Sequence, residues 1–284
     1  MEYFTELLQE YKLTLDWLKS LKIKIVGRLK IYEKELTKIA NTKVSQNGML
    51  IDQAAADFIP ILQNITEILC IRKAFQGFMV NKEFRNKLEK AINGAIYAIN
   101  ENPLNDSCSA RNYQFELYAA ALFKNSGCVI EFNGKADFVA LKNDIKIFAE
   151  CKRIRSTNKL LKEVKSAIQN TIRCLDKDSC GLIVLNITPM ISKNPVFIKT
   201  EAEATNIMNS TLNKSAFKDI QISSLIAGII VFGSFVHIQE DDYRISCPYR
   251  ALMLFNSENR NKKEREIVRQ IFSYPFFTKN CSVI

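Results

Sequence analysis

Apolar residues recur at alternating spacings of three and four along the first forty residues of the chain. The stripe has one polar member, Lys22, and comprises Phe4, Leu8, Tyr11, Leu15, Leu18, Lys22, Ile25, Leu29, Tyr32, Leu36 and Ile39. This spacing places one apolar face along an α-helix. It predicts either one long helix that pairs two copies as a coiled coil, or a hairpin of two helices broken between Lys22 and Gly27. We favour the hairpin.

The helical pattern continues to about residue 100. It predicts two further helices over residues 61–78 and 83–99, with Pro60 in a first turn and Asn81 as an N-cap. Residues 101–109 are rich in Asn, Asp and Ser and predict a domain boundary. We therefore expect an all-α N-terminal domain, residues 1–102, that serves oligomerisation or target choice, followed by a second domain at residues 107–284.

The second domain alternates short apolar runs with helical patterns. Strands are predicted over residues 128–132, 138–141, 145–149, 181–186, 227–235 and 250–255, and helices over 111–123, 158–175, 200–212 and 261–272. Such alternation predicts a three-layer α/β domain with a central mixed sheet.

One hairpin in this domain places charged residues together. If Asn143 and Asp144 form its two-residue turn, counting back along the strands sets Asp137 opposite Glu150. Lys152 then shares a face with Glu150, while Cys151 offers only its backbone. Because facing carboxylates repel, the pair indicates a hard divalent cation such as Mg²⁺ between them. The alternative is a structural ion pair at a strand end.

Residues 111–188 resemble the PD-(D/E)XK nuclease superfamily, which has the restriction-endonuclease-like fold. The predicted order of helix, three strands, helix and strand follows the family core, although Ala136 stands where its motif has proline. The resemblance implies a metal-dependent endonuclease. The resemblance also implies the roles of the site residues. Asp137, Glu150 and the Cys151 carbonyl would hold Mg²⁺, or alternatively Mn²⁺, and Lys152 would orient or help deprotonate the attacking water.

Two further residues are candidates for this site. Glu116 lies among apolar residues of the first predicted helix, where an unpaired acid is unfavourable, and many relatives place a glutamate of that helix in the metal site. The alternative is that Glu116 reaches water at the edge of the apolar stripe. Gln169 is on the helix after Lys152, where it either lines the cleft or belongs to a solvated face.

The chain carries a formal net charge of +10. Residues 151–177 hold eight basic and two acidic side chains, a local excess of 8 − 2 = +6. A cationic segment that begins at the candidate catalytic lysine favours contacts to the phosphates of a nucleic acid. We expect DNA as this partner, with RNA as the alternative. The predicted nucleic-acid contacts are Arg153, Arg155, Lys159, Lys162, Lys165 and Gln169.

Other features limit the class of protein. The eight cysteines show no Cys-x-x-Cys pair, and the N-terminus has no signal-peptide pattern, so we expect a reducing cytoplasmic location. The apolar run of residues 225–236 is too short to span a membrane and predicts a buried strand. Cys281 only loosely fits a C-terminal lipidation pattern. Two rival functions remain: a catalytically inactive nucleic-acid-binding module of the same fold, and a helical scaffold or effector that acts through residues 1–100.

Overall fold

The computed structural model describes residues 2–41, 54–78, 81–96, 109–213, 220–238, 245–246, 249–255 and 262–272. These residues form an α/β structure with nine helices and a central mixed sheet of six strands. They belong to two compact units that divide between Tyr118 and Ala119. The predicted domain boundary near residues 103–106 lies outside the described residues, as does Cys281.

All described elements of the first unit are helices. They are α1 (Glu2–Ser20), α2 (Arg28–Asn41), α3 (Ala54–Phe75), α4 (Lys82–Ile92) and the first part of α5 (Ser109–Asn125). Buried apolar side chains from each of α1 to α4 form its interior.

The first two helices form a hairpin. The chain leaves helical geometry after Ser20, and Lys22 and Gly27 have φ of 58° at the two ends of the connection. Within the unit, the hydroxyl of Tyr11 donates to the Leu29 carbonyl at 3.0 Å. The hairpin prediction is confirmed and the single long helix is wrong. The stripe predicted to pair two copies is largely buried within the chain.

The next two helices differ in detail from the prediction. Pro60 lies inside α3, because that helix begins at Ala54 and not one residue before Ile61. The expectation of Pro60 in a first turn is therefore wrong. Asn81 is confirmed as the N-cap of α4, since its Oδ1 accepts from the Phe84 amide at 2.8 Å. That helix ends at Ile92, seven residues earlier than predicted.

The second unit contains the strands. They are β1 (Val129–Glu131), β2 (Phe138–Lys142), β3 (Ile145–Arg153), β4 (Ser179–Asn186), β5 (Phe197–Ile198), β6 (Ile226–Ser234), β7 (Val236–Ile238), β8 (Ile245–Ser246) and β9 (Tyr249–Phe255). Its helices, besides the end of α5, are α6 (Thr157–Cys174), α7 (Thr188–Ile191), α8 (Glu201–Asn213) and α9 (Lys262–Phe272).

The six-stranded sheet has the order β1-β2-β3-β4-β6-β9. The pairs β3–β4 and β4–β6 are parallel, and the other three pairs are antiparallel, so the predicted mixed sheet is confirmed. Every residue of β6 is buried, as the apolar run at residues 225–236 predicted. A second, three-stranded sheet, β5-β7-β8, was not predicted, because strands of two or three residues leave no periodic pattern.

The β2–β3 hairpin has the predicted register. Lys142 pairs with Ile145, and Asn143 and Asp144 both have positive φ, at 50° and 65°. A two-residue turn that matches the twist of its strands needs positive φ at both positions, which Asn and Asp tolerate better than most residues. The turn therefore fixes which side chains of the two strands face each other.

Helix α6 packs closely on the sheet. Its buried face comprises Leu160, Val164, Ala167, Ile168 and Thr171. At Gly181 of β4, an added Cβ would lie 2.6 Å from Cγ2 of Thr171, so the absence of a side chain there lets the helix approach the strand. This contact seats the C-terminal half of α6 beside the parallel pair β3–β4.

Candidate functional site

Asp137 ends the short loop that precedes β2. The ladder of β2 and β3 ends with Phe138 opposite Ala149, and one further step in the same register sets Asp137 opposite Glu150. The Asp137 side chain contacts β3, where its Oδ2 accepts from the Cys151 amide at 2.7 Å. The carboxylate is thereby tied to the strand that carries Glu150.

Glu150 is a nearly buried acid with two donors. Its side chain is 11% exposed. Lys152 Nζ donates to Glu150 Oε1 at 2.8 Å, which confirms that these two side chains share a face of β3. Asn170 Nδ2, from α6, donates to the same oxygen at 3.3 Å. Both donors end on Oε1, so Oε2 accepts from neither of them.

The charge on Lys152 is stabilised by the two acids. Burial lowers the pKa of Lys152, but the hydrogen bond from its ammonium to Glu150 and the charges of Glu150 and Asp137 together raise that pKa above its ordinary value. Lys152 is therefore an ammonium at neutral pH. In this state it is a hydrogen-bond donor and a counter-charge, and it has no free electron pair with which to accept a proton.

Cys151 presents its backbone to Asp137. Its side chain is buried, as expected for a residue that points to the opposite face from Glu150 and Lys152. In a strand, the N–H and C=O of one residue point to the same edge. Because the Cys151 amide points to Asp137, the Cys151 carbonyl faces that edge too, just beyond the last paired residue of β2.

Glu116 has a different partner. It is on the part of α5 that belongs to the first unit, where Lys87 of α4 donates to its Oε2 at 2.5 Å. The two side chains are 11% and 7% exposed. The compensation that a buried acid requires is thus supplied by Lys87. A metal-ligand role for Glu116 stays a prediction.

Within the described ranges, no three His, Cys, Asp or Glu side chains form a group that could hold a metal ion. The acids brought together by the β2–β3 hairpin are a pair, Asp137 and Glu150. The side-chain atoms of this pair that could bind a metal are all oxygens, which suit a hard cation better than a soft one.

The predicted nucleic-acid contacts lie at the end of β3, on α6 and, for Arg155, on the connection between them. Lys159, Lys162, Lys165 and Gln169 are exposed on α6, whereas Arg153 and Arg155 are half-buried. At 3.6 residues per turn, Lys159 lies about 20° around the helix from Asn170, and Lys165 about 140° from it. The exposed lysines Lys159, Lys162 and Lys165 form a basic arc on α6. Lys159 lies on the same side of the helix as Asn170, about three turns earlier, and Lys165 faces a different direction.

Sequence reasoning missed Asn170, Cys174 and Lys135. The predicted residue was Gln169, which is exposed. Its neighbour in sequence, Asn170, is the residue that contacts Glu150. The Cys174 thiol has two acceptors within reach, the Lys135 carbonyl at 2.6 Å and the Asn170 carbonyl at 3.3 Å, and we assign its one hydrogen to the nearer, Lys135. Burial and the charge of Glu150 raise the pKa of Cys174, which keeps its thiol protonated. Extending the helical phase of Leu160, Val164, Ala167 and Thr171 would have put residues 170 and 174 on the flank of α6.

Comparison of the chain with protein-family models, with curated proteins and with solved structures found no match.

Proposed function

We propose that this protein is a Mg²⁺-dependent endonuclease that hydrolyses phosphodiester bonds in DNA, with Mn²⁺ as an alternative metal. The observation that carries the proposal is the meeting of two acids and a lysine where β2 begins and β3 ends. Asp137 is bonded to the strand beside Glu150, and Lys152 is bonded to Glu150 itself. Acids and a lysine in this arrangement suit metal-assisted attack on a phosphodiester.

The order of elements supports a restriction-endonuclease-like core. Helix α5, strands β1 to β3, helix α6 and strand β4 follow one another as in the PD-(D/E)XK superfamily that residues 111–188 resemble. Strand β4 is parallel to β3, and α6 connects them. The helices of the first unit would form the all-α N-terminal domain of the proposed enzyme, for oligomerisation or target choice.

The residues present fit a hard divalent cation. Oε2 of Glu150 accepts from neither donor that holds Oε1, and the Cys151 carbonyl faces the same edge as Asp137. These three residues would hold the metal, with water as the remaining ligands. When bound, the ion would polarise the phosphate and lower the pKa of a coordinated water.

Lys152 and the basic arc would contact the water and the phosphates of the substrate. As an ammonium, Lys152 would orient the attacking water and stabilise the negative charge that develops on the phosphate. The exposed Lys159 and Lys162 would bind phosphates of the DNA, together with Arg153 at the end of β3 and Arg155 just after it. None of the five described cysteines is in a disulfide, in keeping with the proposed reducing cytoplasm. None of the described helices has the length and apolar character needed to cross a membrane.

A second candidate is a nucleic-acid-binding module of the same fold without catalysis. The observation that favours it is that Glu150 already has Lys152 and Asn170 as partners. Such a site is satisfied without a metal. The module would share the basic arc but would show no change in stability on addition of divalent ions.

Incubation of the purified protein with supercoiled plasmid, linear duplex, single-stranded DNA and RNA tests the proposal. Each substrate is combined with Mg²⁺, Mn²⁺ or EDTA. The nuclease proposal predicts cleavage of DNA with either metal and none with EDTA. Retarded mobility of intact DNA in every lane would instead support the binding module.

A further inference from the structure

Two contacts from one face of α6 reach strand β3 and the loop that precedes β2, which are the segments that carry the two acids. Asn170 Nδ2 donates to Oε1 of Glu150 on β3. One turn later, the Cys174 thiol donates to the carbonyl of Lys135, two residues before Asp137. Residues four apart on a helix are neighbours on its surface. The same short stretch of α6 therefore contacts both acid-bearing segments.

This stretch of α6 is firmly seated. Thr171, which follows Asn170, is fully buried and packs against the bare backbone of Gly181. Its hydroxyl donates to the Ala167 carbonyl at 2.8 Å, within the helix. Thr171 therefore blocks movement of this part of the helix toward β4. Asn170 is the neighbour in sequence of this packed residue.

We propose that Asn170 and Cys174 are positioning residues that set the separation and orientation of the Glu150 and Asp137 carboxylates for a divalent cation. The inference rests on the proposed function, because it assigns these residues to the metal site of the proposed nuclease. Neither residue would touch the cation or the substrate.

The two residues act on different degrees of freedom. A carboxylate can rotate about its last bond, and the donor of Asn170 holds Oε1 of Glu150, so that Oε2 stays directed away from the helix. The Cys174 thiol is bonded to the Lys135 carbonyl in the loop before β2, and this contact restricts the backbone position of Asp137. Removal of a group that orients a metal-binding side chain typically lowers the metal affinity by about 10-fold or more.

Mn²⁺ binding to the full-length protein tests this directly, by electron paramagnetic resonance of the free ion. The variants are Asn170→Ala, Cys174→Ala and Cys174→Ser, with Ser166→Ala as the matched control. Ser166 is an exposed polar residue one turn before Asn170 on the same helix. The thermal unfolding midpoint of every variant is recorded without metal, so that a change in affinity is separated from loss of fold.

We expect Asn170→Ala to raise the Mn²⁺ dissociation constant about 10-fold and Cys174→Ala to raise it severalfold. Cys174→Ser keeps a donor and is expected to restore wild-type affinity, and Ser166→Ala to leave it unchanged. If Asn170→Ala fails to fold, Asn170→Leu replaces it. Leucine has a similar branched shape and no donor for Glu150, so the Mn²⁺ dissociation constant of this variant should rise about as much.

The outcomes separate the two levels of the proposal. If Asn170→Ala and Cys174→Ala bind Mn²⁺ with wild-type affinity, the positioning role is overturned and the nuclease proposal stands. An Asn170→Leu variant that folds and binds Mn²⁺ with wild-type affinity would also overturn it. Wild type that binds no Mn²⁺ would overturn the proposed function, and the positioning role with it.

Discussion

The carboxylate of Asp137 and the backbone amide of Cys151 are joined by a hydrogen bond of 2.7 Å. This bond continues the connection between β2 and β3 past the last paired residues, Phe138 and Ala149. Asp137 therefore stabilises the hairpin end as well as contributing an acid to the site. Substitutions at this position must be chosen to separate the two roles.

Asp137→Asn and Asp137→Ala make that separation. Asparagine retains an oxygen that can accept from the Cys151 amide and removes the repulsion with Glu150. Its metal-free free energy of unfolding should be at least that of wild type, while the rise in melting temperature with Mg²⁺ shrinks. Alanine loses the acceptor as well and should cost about 2 kcal/mol. Chemical denaturation with and without Mg²⁺ measures both effects.

A different result for Asp137→Asn would change the account. If it destabilises the metal-free protein and Mg²⁺ alters neither form, the two acids and Lys152 are a structural ion-pair network. The binding module would then be the better description.

Lys152→Ala should separate chemistry from binding. The substitution removes the ammonium bonded to Glu150 but leaves both acids and the basic arc on α6. We expect DNA cleavage to fall by about 10² or more, with little change in DNA affinity. Single-turnover cleavage and a binding titration in Ca²⁺ measure the two quantities. Equal losses of cleavage and affinity would show that Lys152 acts mainly as a phosphate contact.

Glu116 can be assigned by a variant of its partner. Lys87→Met would leave Glu116 buried with its partner amine removed, which should lower the free energy of unfolding by roughly 3–5 kcal/mol. Glu116→Gln should also destabilise the protein, with the Mg²⁺-induced rise in melting temperature unchanged. A smaller Mg²⁺-induced rise in Glu116→Gln would instead support the metal-ligand role.

The basic arc should show a graded effect along α6. Lys159→Glu combined with Lys162→Glu should weaken binding to many DNA sequences alike and reduce the salt dependence by about two phosphate contacts. Lys165→Glu should have a smaller effect, because Lys165 lies about 140° around the helix axis from Asn170. Affinity measured over a range of salt concentrations checks both statements. Binding that does not vary with salt would remove the argument for phosphate contacts.

The register of the hairpin was predictable because local chemistry determines it. Asn143 and Asp144 tolerate the positive φ that a two-residue turn requires, and side chains alternate between faces along each strand. These two facts bring Glu150 together with Lys152 and set Asp137 opposite. The hairpin break after Ser20 was predictable for a similar reason, since Lys22 interrupts an otherwise apolar stripe.

The partners supplied by distant elements were not predictable. Lys87 and Glu116 are 29 residues apart, and no pattern near either residue indicates the other. Asn170 and Gln169 are adjacent polar residues of one helix, and only the helical phase distinguishes the one that faces Glu150. The small sheet β5-β7-β8 depends on pairing between short segments, for which intrinsic propensity is a weak guide.

The rate of supercoiled plasmid cleavage tests the central claim most directly. Wild type, Asp137→Asn and Lys152→Ala are compared in Mg²⁺ and in EDTA, at equal concentrations and after purification by the same steps. The account predicts nicked or linear product from wild type in Mg²⁺ only, and a loss of about 10² or more in both variants. Cleavage that persists in EDTA, or that is equal in all three proteins, would contradict it.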